Sequence, residues 1–137
     1  MIPTLLFLAA ILWVASLEAH ADVSAIAKNI RIDHAEQLLE RCIAITVAAC
    51  LIVLAWCVTF GPSFLGWRYT LWPVLAWGAF TPSFRYMLNK WRNLPTLYIS
   101  PSNAYDRFWL RIGKDAAPAY ATEIAVFIAA LYTFTKL

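Results

Sequence analysis

Apolar residues fall in blocks along this chain rather than alternating with polar ones. The first block covers 2–17 and stops at Glu18; the second, 42–60, is nineteen residues without a charge and closes on Gly61-Pro62. The third, 64–84, lies largely between Arg68 and Arg85 and contains Pro73, Gly78 and Pro82; the fourth, 116–134, is interrupted only by Glu123. A helix needs roughly 20 apolar residues to cross about 30 Å of hydrocarbon. The second block meets that length unaided. The pattern predicts an all-α fold, a small multi-pass helical membrane protein forming a single membrane domain over 1–137. It would have four transmembrane helices, or three, plus a short interfacial amphipathic helix.

Composition agrees with the pattern: 62% of residues are hydrophobic, 14% are charged, and mean hydropathy is +0.64. That excludes a disordered chain, a basic nucleic-acid-binding module and most soluble enzymes. The net charge of +3 is too small to imply an anionic partner by itself. Its distribution carries more. Asp22 to Arg41 holds three Lys/Arg and Arg85 to Asp115 holds six, while Arg68 and Lys136 stand apart. With four spans, nine basic residues share one side against two on the other. The positive-inside rule makes that side cytoplasmic and leaves both termini outside, in the inner membrane of a bacterium or a phage-infected host.

Two blocks admit a second reading. Leu5–Ala15 resembles a signal-peptide core and Ala19-His20-Ala21 suits cleavage before Asp22, but Met1-Ile2-Pro3-Thr4 lacks a basic residue. Cleavage with three remaining spans would put all nine basic residues outside, so the charge count favours an uncleaved helix ending near Ala21. The third block is short, about 24 Å for the sixteen residues between its arginines. Snorkelling of Arg68 would lengthen it and Pro73 would kink it. A re-entrant hairpin is the alternative.

The polar stretches carry local signals. Asp33-His34-Ala35-Glu36 has capping-box form and starts the second helix near His34, with Glu36, Gln37, Glu40 and Arg41 as a wet collar. Ser24 is positioned to cap a short surface helix bearing Ile26 and Ile30. Within the basic, aromatic loop 85–115, residues 103–112 form a helix, with Asn103 as cap, Asp106 in the first turn and Gly113 at the end. Tyr105, Phe108, Trp109 and Ile112 then share one face, and Arg107, Arg111 and Lys114 a second stripe. This is the form of a helix lying on the bilayer, aromatics among the headgroups and cations over anionic lipid. Docking onto a partner subunit is the alternative, and nucleic acid is not expected. Trp67, Trp91, Trp109, Tyr69, Tyr86 and Tyr132 fall near block ends as an interfacial belt, with Trp56, Trp72 and Trp77 further in.

Candidate chemistry is sparse. The fourth block cannot span without Glu123, because Ile124–Phe134 is only eleven residues. An intramembrane carboxylate must pair, protonate or face water. Arg85 lies at the same predicted depth, so a Glu123–Arg85 pair is expected, as a helix lock or as part of an ion path. Cys42, Thr46 and Cys50 recur at every fourth position with Cys57 nearby, a small-residue stripe suited to close helix packing. Three cysteines without short Cys-x-x-Cys spacing indicate neither a disulfide framework nor zinc. His20 and His34 have no third ligand at useful spacing. With no catalytic motif and four glycines, neither an enzyme nor a cofactor is expected. The expected role is a non-catalytic accessory, assembly or structural subunit of a larger membrane complex, joined to other membrane subunits or to itself. The alternatives are a self-associating pore former with the size and layout of phage holins, a likeness of form that no motif carries, and a small transporter or channel using Glu123.

Overall fold

The computed structural model describes residues 2–30, 34–61, 66–101 and 104–136, and all their regular structure is helical. The helices are α1 (Ile2–Ala27), α2 (His34–Phe60), α3 (Trp72–Trp91), α4 (Ala104–Ile112) and α5 (Ala117–Lys136), with a 3-10 turn Trp67–Leu71 leading into α3. Among the described residues, α1, α2 and α5 are long and apolar enough to cross a membrane. The chain is therefore consistent with a helical membrane protein.

Several boundaries differ from the sequence reading. α1 runs through Ala19–Ala21 to Ala27, so Ser24 caps no separate helix; its hydroxyl donates to the His20 carbonyl at 3.0 Å inside α1. The polar stretch beyond is not all surface either, since Asp22 is buried. α2 does begin at His34, but Asp33 and the side chain of Glu36, the reciprocal pair of the capping box, lie outside the described residues. The proposed cap Asn103 and the side chains of Trp67 and Arg68 lie outside them as well. The third helix is displaced towards the C-terminus, covering Trp72–Trp91 instead of 64–84. Pro73 sits in its first turn, where the missing N–H has no intrahelical partner to lose, so it opens the helix rather than kinking it. Pro82 lies within the helix. Arg85 consequently stands in the body of α3, with nearly two turns following it, and not at the end of a span.

Both α1 and α3 end on an asparagine in the left-handed region, Asn29 at φ 53° and Asn93 at φ 54°. The next residue closes the turn each time: Ile30 N–H donates to Ala25 O, and Leu94 N–H to Asn89 O, both at 2.9 Å. These are Schellman ends with Asn in place of the usual Gly. α2 stops at Gly61, φ +84°, whose N–H donates to Cys57 O at 2.8 Å.

The packing is up-down-up-down. α1 and α3 lie side by side and parallel: Phe7 stacks on Trp72 at 4.3 Å near one end, and His20 meets Trp91 edge-on at 5.6 Å near the other. α3 is thus one continuous member of the bundle and not a hairpin. α2 folds back on α1, and α5 packs on the opposite side of α3. Phe7, Ile11, Trp72, Leu75, Phe80 and Phe134 form the buried apolar core. Gly78 lets α5 approach: a Cβ there would stand 2.8 Å from Phe127 Cβ and 3.2 Å from the Glu123 carbonyl oxygen.

The long polar loop folds down over the charged end. Buried Asn89 donates through Nδ2 to Tyr98 O at 2.8 Å and Thr96 O at 3.2 Å, and Ala116 N–H donates to Leu97 O at 2.9 Å. Ile99, Trp109, Ala116 and Ala119 make a second small core beneath α4.

Candidate functional site

The antiparallel order puts the C-terminal ends of α1 and α3 with the N-terminal ends of α2 and α5, so most charged residues meet at one end. Two ionic clusters form there. In the first, Glu123 of α5 is fully buried and faces Arg85 of α3, 8% exposed. Arg85 donates through one guanidinium nitrogen to Oε2 at 2.9 Å and through the other to Oε1 at 3.1 Å. This fork-to-fork geometry is the strongest common form of a charged hydrogen bond. The Tyr105 hydroxyl of α4 donates to the same Oε1 at 2.6 Å. The Tyr120 ring lies 5.1 Å from the guanidinium carbon. Burial, with the neighbouring Glu123 carboxylate accepting its proton in a hydrogen bond, pushes the Tyr105 hydroxyl up to about 12, so it serves as a neutral donor.

The second cluster joins α1 and α2, and the sequence reading missed it. Arg41 Nε donates to Glu18 Oε2 at 3.2 Å, and a terminal nitrogen lies 3.6 Å from Asp22 Oδ2. Its guanidinium also sits over the rings of Phe84 at 4.5 Å and Phe80 at 5.6 Å on α3. Arg41 is therefore no member of a wet collar; it ties three helices together. A signal was present: Glu18 and Asp22 are one turn apart on one face of α1, opposite the lone cation entering the second apolar block.

α4 is rotated so that its aromatic stripe divides. Tyr105 and Trp109 turn inward, onto Glu123 and the second core, whereas Phe108 and Ile112 are exposed. Only the latter two are positioned to enter a headgroup layer. Arg107 donates to the Pro101 carbonyl at 3.2 Å, while Arg111 and Lys114 are exposed. Asp115 was not foreseen as a cap, yet its Oδ1 accepts from Ala117 N–H at 2.9 Å at the start of α5.

Most of the small-residue stripe is left uncovered. Cys42, Thr46 and Cys50 are exposed and Cys57 is half-buried; α2 turns Ile45, Ala49 and Ile52 towards the core instead. Cys42, Thr46 and Cys50 line a groove of about 1150 Å³ between α2 and α3, with α1 as its floor.

Chemically, the two clusters can hold helices in register. Both Glu123 oxygens are occupied by donors, and Arg41 is shared between two carboxylates. Among the described residues no group of three His, Cys, Asp or Glu is placed to hold a metal ion. Comparison with protein-family models, curated proteins and solved structures yields no match for this chain.

Proposed function

We propose that this chain is a non-catalytic integral membrane subunit of a larger complex, seated in a bacterial inner membrane with its charged end cytoplasmic. The observation that carries this reading is α2. No side chain between Leu39 and Thr59 is buried, although this is the most apolar stretch in the chain. The helix is held by its Arg41 end and by one partly covered face, leaving most of its surface for other chains. The two ion-pair clusters support the same reading, because Arg41 and Arg85 spend their charge on carboxylates of neighbouring helices. An ion path through Glu123 is disfavoured by the full burial of that carboxylate and its three donors.

Mild-detergent extraction from the native membrane, followed by identification and stoichiometry of co-purifying chains, tests the proposal. Unlike chains in fixed ratio are expected. A monodisperse monomer overturns it. The same free helix would serve a self-associating pore former; an oligomer of this chain alone, with dye leakage on expression, would select that reading.

A further inference from the structure

We propose that the groove between α2 and α3 is a binding site for one anionic two-chain membrane lipid, its acyl chains along the apolar walls and its headgroup at Arg92. The site follows from the helix order. Because α1 contacts both α2 and α3, these two are splayed across it, and their facing sides do not close on each other. The resulting trough of about 1150 Å³ exceeds the roughly 300–1,000 Å³ of pockets for drug-sized molecules. Ile45 and Ala49 of α2 face Ala76, Trp77 and Phe80 of α3 across it. Small residues on the α2 wall leave the width that larger side chains would take. Water gains too few polar partners along such walls, and an empty trough forfeits dispersion contacts on every lining atom. In a bilayer, acyl chains are the solvent that fills it.

Charge fixes the headgroup end. Among the charged side chains lining the groove are Arg41, Arg85 and Arg92, with Asp22 and Asp106. Arg41 is answered by Glu18 and Asp22, and Arg85 by Glu123, with Asp106 within electrostatic reach of Arg85. Arg92 forms no ion pair with another described residue and stands just past the end of α3, beside Asn89. A cation at the mouth of an apolar trough is complementary to a phosphodiester on acyl chains.

The test uses the full chain in mild detergent, offered equimolar dioleoyl-phosphatidylglycerol and dioleoyl-phosphatidylcholine, with bound lipids counted by native mass spectrometry. Wild type is expected to retain the anionic lipid with roughly fivefold preference. Ala49→Phe, which fills the trough, is expected to lose both lipids. Arg92→Gln is expected to keep lipid and lose the preference. Helical content by circular dichroism accompanies each variant, and Arg92→Gln, at a partly exposed position, keeps the test decisive if Ala49→Phe fails to fold. No retained lipid, equal retention of both lipids by wild type, unchanged counts in folded Ala49→Phe, or an undiminished preference in Arg92→Gln each overturn the proposal. The readout needs no partner chain, so it stands or falls separately from the subunit reading.

Discussion

Replacing Glu123 with Gln preserves the size of the side chain and removes the charge opposite Arg85. The wild-type carboxylate receives three donors, at 2.9, 3.1 and 2.6 Å, from Arg85 and Tyr105. A Gln amide offers one acceptor oxygen and turns its NH₂ towards a donor. The guanidinium, 8% exposed, loses its paired carboxylate and keeps only the electrostatic pull of Asp106. Breaking a buried pair from one side costs about 3–5 kcal/mol. Arg85→Met alone should cost as much, because it strands the carboxylate. The combination Arg85→Met with Glu123→Leu removes both charges, and buried pairs exchanged for apolar residues of similar volume are often neutral. Its residual loss of about 1–3 kcal/mol comes from the Tyr105 hydroxyl, now without an acceptor, and adding Tyr105→Phe should recover it. Denaturant unfolding in mild detergent, followed by circular dichroism, reads the series. The expected order of stability is wild type and triple variant together, then the double, then either single. Unfolding of Glu123→Gln at the wild-type midpoint would refute the lock.

Gly78→Ala forces a Cβ to 2.8 Å from Phe127 Cβ and 3.2 Å from the Glu123 carbonyl oxygen; overpacking of this kind costs about 1–3 kcal/mol, and an unchanged unfolding midpoint would count against the close α3–α5 approach. Tyr105 carries the pH prediction: its hydroxyl is raised from 10.0 to about 12, so the bond to Glu123 is intact below pH 10 and lost as pH rises through the folded value. The phenolate absorbance of wild type minus that of Tyr105→Phe should titrate near the raised value, and a difference titrating at the ordinary tyrosine value refutes burial of the hydroxyl.

Block length and charge scarcity made the helices legible, and with them the depth at which Glu123 and Arg85 could meet. Helix faces were less legible. Tyr105, Phe108, Trp109 and Ile112 obey one spacing rule, but that rule cannot distinguish lipid from a protein core as the apolar partner. Tyr105 and Trp109 turn inward because Glu123 offers an acceptor and Ile99 and Ala116 offer a core. Both are long-range contacts. The Arg41 cluster was hidden for the same reason, since its carboxylates lie 19 and 23 residues upstream. The start of α3 was misjudged because Pro73 reads as a kink only if the helix already exists before it.

α3 fails the length-and-composition criterion that α1, α2 and α5 meet, yet it is the helix with α1 on one side and α5 on the other. The two facts have one cause. Hydropathy scores a segment for exposure to lipid, whereas Arg85, Asn89 and Thr81 of α3 find their partners within the protein. Arg85 is answered by α5, Asn89 by the carbonyls of Thr96 and Tyr98, and the Thr81 hydroxyl by Trp77 O at 2.8 Å. Even the rings that receive Arg41, Phe80 and Phe84, belong to this helix. A central helix can carry charge that an outer helix cannot, because its neighbours supply the partners that lipid lacks. The low apolarity of α3 therefore marks its place in the middle of the bundle, and the most apolar helix, α2, is the one left at the edge.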